Sequence, residues 1–158
     1  MTKKEFRDRI KKSKLILDGA TGSNLQKRGM PVGVCPEEWI IENSEVLKQL
    51  QIEYIQAGSD VLYAPTFSGN RIKLEEYGLD DKLSEINTKL VEISKAAVDE
   101  GLTDEEKKAG RQVYIAGDIT MTGKQVYPVG PLMFEELVDI YKEQIRCIAD
   151  AVSYTHLR

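Results

Sequence analysis

The chain has 158 residues, of which 41% are hydrophobic and 30% charged, and its formal net charge is −4. These values are typical of one soluble globular domain with its own core. The negative charge disfavours nucleic acid as a partner, and the lack of an apolar run of about 18 residues argues against a membrane partner.

The cysteines and the histidine offer little chemistry by their spacing. Cys35 and Cys147 lie too far apart in the sequence to form a zinc or redox motif. Unpaired cysteines fit a reducing compartment, so we expect a cytoplasmic protein. His156 lies in the C-terminal tail and is not expected to act as a catalytic base.

The chain opens with the basic segment "MTKKEFRDRIKKSK", in which Phe6 and Ile10 have helical spacing. The mixed charges favour a solvated helix over an anion-binding arm. The next stretch, "LILD" (15–18), is predicted to be a short buried strand that ends in the carboxylate of Asp18. Asp18 could bind a substrate or cap the following turn, and both remain open at this point. The small-residue turn "GATGS" (19–23) could likewise cradle an anion or be a plain tight turn.

Two more strands are predicted, "DVLYAPTF" (60–67) and "QVYIAGDI" (112–119), both without polar alternation and therefore covered on both faces. A first major helix is expected from Asn43 and Ser44 to about Ala57, ending at Gly58. Apolar stripes predict two further helices, one with Leu83, Ile86, Leu90, Ile93 and Ala97, the other with Leu137, Tyr141, Ile145 and Ile148. The segment "DEGLTDEEKKAGRQ" (99–112) is expected to be a charged surface loop.

The alternating order of strands and helices predicts an α/β fold with a parallel sheet. An open doubly wound sheet and a (β/α)8 barrel both fit, and both bind ligands at the carboxyl ends of their strands. We expect Asp18, Thr66, Phe67 and Asp118 to converge there. Because a complete barrel needs about 250 residues, this chain could be only part of one.

Three strings in this order resemble the homocysteine S-methyltransferase domain: "LILDGATGSNLQKRGM", "CPEEWIIENSEVLKQLQIEYIQAGSDVLYAPTFSGNRIKLEEYGL" and "AGDITMTGKQVYPVG". That domain is the N-terminal module of cobalamin-dependent methionine synthase and also occurs in betaine–homocysteine methyltransferase. The resemblance is greatest to the cobalamin-dependent branch. It implies a (β/α)8 barrel, of which this chain would hold about three β/α units over residues 1–151. Residues 152–158 are expected to be a tail outside the family, after a truncation junction.

The resemblance implies a methyltransferase that acts on homocysteine. Asp18 would lie near the substrate ammonium, the amides of Gly19, Ala20 and Thr21 near its carboxylate, and Thr66, Phe67 and Asp118 along the same pocket. In the family, three cysteines on later strands bind zinc, which activates the homocysteine thiol. Neither Cys35 nor Cys147 matches them, so no catalytic or metal-binding residue is expected here.

The parent would carry folate and cobalamin domains, and this chain alone is expected to be inactive. Two other interpretations remain open: an anion- or phosphate-binding α/β enzyme with "GATGS" as its loop, and a non-catalytic half-barrel binding module.

Overall fold

The computed structural model describes residues 3–153. Most of the predicted tail, including His156, lies outside the described residues. The helices of the described part are α1 (Lys3–Lys12), α2 (Gly22–Lys27), α3 (Pro36–Glu42), α4 (Ser44–Gln56), α5 (Arg71–Glu75), α6 (Leu83–Gly101), α7 (Asp104–Lys108) and α8 (Phe134–Ser153). A 3₁₀ turn, Asp80–Lys82, precedes α6. The strands are β1 (Val61–Ala64) and β2 (Tyr114–Gly117).

The two strands pair in parallel, with Val61 opposite Tyr114 and Ala64 opposite Gly117. Residues 15–18 run along the other edge of β1 through one parallel bridge between Leu17 and Val61. The Asp18 amide donates to the Val61 carbonyl at 2.9 Å. The predicted parallel arrangement is therefore confirmed, although both strands are shorter than the sequence indicated.

The prediction that residues 15–18 form a buried strand is wrong. Ile16 and Leu17 are 57% and 50% exposed, because β1 holds this segment at one edge while its side chains are left uncovered. The Asp60 carboxylate fastens the start of the segment by accepting a hydrogen bond from the Ile16 amide at 2.9 Å. The segment keeps its parallel direction through these backbone contacts rather than through burial.

Two of the three predicted major helices form as expected. Helix α4 begins at Ser44 and ends just before Gly58, whose φ of 102° is favourable only for glycine. The buried face of α6 contains the predicted stripe, including Leu83, Ile86 and Leu90. The amphipathic N-terminal segment also forms a helix, α1, whose described side chains are exposed.

The predicted face of α8 is partly wrong. Ile145 is 47% exposed, whereas Ile140 and Gln144 are buried with Ile148. The buried stripe is therefore rotated around the helix relative to the prediction. The reason is that Gln144 hydrogen-bonds inside the fold, so a polar side chain occupies a place that an apolar pattern would assign to Ile145.

Two further expectations are corrected. The charged segment 99–112 is not simply a loop, because it contains the end of α6 and all of α7, which begins at a capping box formed by Thr103 and Glu106. The turn 19–23 is also shorter than predicted, since α2 begins at Gly22.

The expectation that both strands are covered on both faces is wrong, because the helices cover one face of the sheet and leave Tyr63 on the other partly exposed. Leu62 and Ala64 of β1 are fully buried against the helical layer, with Ile55 and Leu102 around Leu62 and with Val91 and Ile148 around Ala64. Tyr63, which points to the opposite face, is 36% exposed. A larger core lies between the helices and includes Leu25, Ile40, Leu47, Leu50, Leu74 and Leu90.

Within the described part of the chain, no helix is both long enough and apolar enough to cross a membrane.

The close packing of β2 on α8 gives a testable prediction. A Cβ added at Gly117 would lie 2.5 Å from Cγ2 of Ile148, a branched atom with little freedom to move. We expect Gly117→Ala to lower the free energy of unfolding by about 1–3 kcal/mol, measured by urea denaturation.

Gly22→Ala is the matched control for this substitution. Gly22 begins α2, and a Cβ there meets nothing within 4 Å. Its free energy of unfolding should stay within about 1 kcal/mol of the parent protein. Equal stability of the two variants would show that β2 and α8 do not pack this closely.

Candidate functional site

A cavity of about 460 Å³ opens at the carboxyl ends of the three parallel segments. Its walls come from the turn after residues 15–18, from α2 and α3, from the end of β1 and from the segment that follows β2. The residues lining it are Gly19, Thr21, Gly22, Leu25, Gln26, Met30, Pro36, Glu37, Ile40, Tyr63, Ala64, Pro65, Phe67, Ser68 and Asp118. The wall is thus mostly apolar, with carboxylates at two places.

The predicted site residues divide into two groups. Gly19, Thr21, Phe67 and Asp118 line the cavity itself. Asp18, Ala20 and Thr66 are not among its lining residues: Thr66 is fully buried, Asp18 is half-buried and Ala20 is exposed. The structure thus brings the predicted residues to one end of the sheet.

Asp18 binds the neighbouring strand rather than the turn that follows it. Its Oδ2 accepts a hydrogen bond from the Tyr63 amide at 3.0 Å. Its Oδ1 is buried and has no hydrogen-bond partner among the described residues. Burial raises the pKa of Asp18, the Tyr63 amide opposes this, and the nearby negative charge of Asp118 raises the pKa further. A buried carboxylate oxygen without a partner is costly, and a cationic ligand group would relieve that cost.

The turn after Asp18 is fixed by Tyr54 of α4. The Tyr54 hydroxyl donates to the Ala20 carbonyl at 2.9 Å, and Asn24 Nδ2 donates to the same carbonyl at 2.7 Å. A Cβ at Gly19 would lie 2.8 Å from the Tyr54 ring, so only glycine fits there without displacing the ring. This role was not predicted from the sequence, because the spacing of Tyr54 in α4 is that of a residue on the packing face of the helix.

Thr66 connects the ends of the two strands. Its side chain is fully buried, and its hydroxyl donates to the Asp118 carbonyl at 2.8 Å while accepting from the Asp118 amide at 3.0 Å. Burial raises the pKa of the Asp118 carboxyl, and a hydrogen bond from the Ile119 amide opposes this. Thr66 thus positions the backbone of Asp118, whose carboxylate lies in the cavity wall.

Two buried amides hold the segment after β1 from behind. Gln144 Nε2 donates to the Thr66 carbonyl at 2.7 Å, and Asn87 Nδ2 donates to the Gly69 carbonyl at 2.8 Å. Both side chains are fully buried, on α8 and α6 respectively. Sequence analysis missed them, although a polar residue inside an apolar helical stripe was the available signal.

Glu37 is a buried acid in the cavity wall that the sequence analysis also missed. It is 2% exposed, and its Oε1 accepts from the Ser68 amide at 2.8 Å. The Cys35 thiol donates to its Oε2 at 3.6 Å. Burial raises the pKa of Glu37, and the hydrogen bond from Ser68 opposes this. The string "CPEEW" indicated only the start of a helix, because a proline followed by acids is typical of a first helical turn.

The arrangement suits a small molecule with a cationic group and a short apolar part. Asp118 provides a carboxylate in the cavity wall and Asp18 a second one close to it, and Leu25, Met30 and Ile40 provide apolar surface. Among residues 3–153, no cluster of three or more histidine, cysteine or acidic side chains could hold a metal ion. The described residues therefore do not fit a zinc site.

Comparison with known proteins gives a consistent family. A family model described as "Homocysteine S-methyltransferase" matches residues 15–155. The metallated form of the homocysteine methyltransferase MmuM from Escherichia coli has a similar fold, with a TM-score of 0.74 and 20% identity, covering 92% of this chain and 54% of that one. The apo form gives a TM-score of 0.62 and 22% identity over 87% of this chain and 45% of that one.

At these identities the solved structures establish the fold alone, and they support the predicted partial barrel. The chain spans about half the length of the solved structures it matches.

The role of Thr66 gives a prediction for stability. Thr66→Val keeps the shape of the side chain but leaves the Asp118 amide and carbonyl without their partner. We expect the free energy of unfolding to fall by about 1–3 kcal/mol, measured by urea denaturation. Thr66→Ser keeps the hydroxyl, so it should lose clearly less; a valine variant as stable as the parent protein would mean that the hydroxyl does not hold the two strand ends together.

The buried charge of Glu37 gives a prediction for pH dependence. The pKa of Glu37 is raised in the folded state, so the folded protein holds this proton more tightly than the unfolded chain, whose reference value is 4.5. The stability of the parent protein relative to Glu37→Gln should be greatest below pH 4.5. It should fall as the pH rises from there to the folded pKa, and then level off.

Thermal denaturation of both proteins across this range measures the difference. Cys35 does not interfere, because burial raises the pKa of its thiol to about 11. A difference that grew in favour of the parent protein with rising pH would contradict the raised pKa.

Proposed function

The chain belongs to the homocysteine S-methyltransferase family, and we propose on that premise that it forms one wall of a homocysteine-binding pocket. The observation that carries the proposal is the cavity at the strand ends, beside which Asp18 has a buried oxygen without a partner. The substrate ammonium would bind Asp18 and Asp118. Its carboxylate would bind the amides of Gly19, Ala20 and Thr21, and Thr66 and Phe67 would support and line the same pocket.

The ammonium assignment rests on charge and geometry together. Asp18 and Asp118 lie close enough for the charge of one to raise the pKa of the other. Two carboxylates in one low-dielectric site repel each other, and a cation between them removes the repulsion. An α-amino acid brings that cation on a short chain, in keeping with the apolar lining beyond the strand ends.

The finer assignment is to the methionine synthase type, in which cobalamin on other domains carries the methyl group. It rests on the resemblance of the three sequence strings. On this proposal the parent protein is cytoplasmic, has folate and cobalamin domains, and uses zinc to lower the pKa of the homocysteine thiol. Because the described residues do not fit a zinc site, they would bind and orient the amino-acid end only. The chain alone would therefore not turn over substrate.

Titration calorimetry with L-homocysteine tests the proposal on the 158-residue chain. We expect measurable binding of L-homocysteine and affinity within a few-fold for L-homoserine, because the thiol has no partner here. Inorganic phosphate is the control ligand. Binding of phosphate without binding of either amino acid would contradict the proposal and favour an anion-binding loop at "GATGS".

The substitution Asp18→Asn tests the role of the carboxylate. Asparagine still accepts the hydrogen bond from the Tyr63 amide, but it lacks the charge that would face the substrate ammonium. Since a hydrogen bond to a charged group is worth about 1.5–3 kcal/mol, affinity for L-homocysteine should fall by about ten- to a hundred-fold.

Asp60→Asn is a matched control on the neighbouring segment, directly before β1 and far from the carboxyl ends of the strands. Asp60 also accepts a hydrogen bond from a backbone amide of the neighbouring segment, that of Ile16. Its affinity for L-homocysteine should equal that of the parent protein. Equal affinities of the Asp18 variant and the parent protein would show that Asp18 is a fold element only.

A further inference from the structure

Glu37 joins two walls of the cavity that are distant in the sequence. Pro36, Glu37 and Ile40 of α3 line one side, and Phe67 and Ser68, which follow β1, line another. The hydrogen bond from the Ser68 amide to Glu37 Oε1, at 2.8 Å, links the two. The thiol of Cys35, at the start of α3, contacts the other carboxylate oxygen at 3.6 Å.

The other hydrogen bonds of the segment after β1 connect it to different elements of the fold. Thr66 is bound to Asp118 after β2 and to Gln144 of α8, and Gly69 is bound to Asn87 of α6. These contacts fix the segment against the sheet and against the helices behind it. The hydrogen bond to Glu37 fixes it against α3 in the cavity wall, beside Phe67, which is 52% exposed.

If the contact between α3 and Ser68 served stability alone, a buried carboxylate would be an unfavourable side chain for it. Burying it costs free energy that an apolar side chain of similar size would not cost. A glutamate at 2% exposure is therefore better explained by the geometry it imposes than by the stability it contributes.

We propose that Glu37 is a positioning residue of this site: its carboxylate holds the Phe67–Ser68 segment at the distance from α3 that the bound amino acid requires. The affinity part of this statement rests on the proposed homocysteine function. The positional part does not. Glu37 acts through Ser68 and is not assigned any contact with the substrate.

Amide hydrogen exchange by NMR tests the positional part directly. Glu37→Met keeps the length and volume of the side chain but accepts no hydrogen bond from Ser68. We expect the Ser68 amide to exchange about ten- to a hundred-fold faster in this variant, while the amide of the core residue Leu90 is unchanged. Glu37→Gln restores an acceptor, so Ser68 exchange should return most of the way to the parent rate.

Glu38→Met is the matched control. Glu38 lies in the same helical turn and carries the same charge, but it is exposed. Neither Ser68 exchange nor ligand affinity should change in it. The affinity for L-homocysteine, measured by calorimetry, should fall by about ten-fold or more in Glu37→Met and recover in Glu37→Gln.

Three results would overturn the proposal. The first is an unchanged rate of Ser68 exchange in Glu37→Met. The second is faster exchange of Ser68 and Leu90 together, which would make Glu37 a residue of general stability. The third is faster Ser68 exchange with unchanged homocysteine affinity. If the parent protein bound no homocysteine, the proposed function would fail, and the exchange data alone would decide whether Glu37 positions the segment.

Discussion

The hydroxyl of Thr66 carries the constraint on which the site depends. It donates to the carbonyl and accepts from the amide of Asp118, so the chain beyond β1 and the chain beyond β2 leave the sheet at a fixed separation. Backbone pairing stops at Ala64 and Gly117, and without this bridge the two segments would be free to diverge. A buried hydroxyl with both bonds made contributes stability and removes freedom together.

The other walls of the cavity are likewise held in place by hydrogen bonds from polar side chains. Tyr54 holds the turn after Asp18, Gln144 and Asn87 hold the segment after β1, and Glu37 holds that segment from α3. Because each of these hydrogen bonds comes from a different helix, the helical layer determines where the walls of the cavity lie. A parallel sheet with helices on one face and a cavity at the carboxyl ends of its strands is the arrangement expected of a (β/α)8 barrel.

Sequence reasoning could predict the features that depend on local patterns. The end of α4 follows from Gly58, the stripe of α6 from periodicity and the parallel order from the alternation of strands and helices, and the strand ends located Asp18, Thr66 and Asp118. The start of α4 also matches the prediction, although the Asn43 side chain makes no cap hydrogen bond there. It could not predict features that depend on long-range contacts. Gln144 of α8 is buried because it binds a carbonyl 78 positions earlier, and Glu37 because it binds the amide of Ser68. Neither partner is visible in a local pattern. The exposure of Ile16 and Leu17 likewise depends on what covers the sheet, and their own sequence reads as buried.

On the proposed function, the carboxyl ends of the three parallel segments form the binding wall for the amino-acid end of homocysteine. Backbone NMR of the chain during titration with L-homocysteine can locate that wall residue by residue. The largest shift changes should fall on the amides of residues 18–21, on 66–68 and on Asp118. A second cavity lies at the start of β2, between Lys95, Arg111 and Tyr114, and offers an internal comparison. Shift changes concentrated there, or none at the strand ends at saturating ligand, would contradict the account.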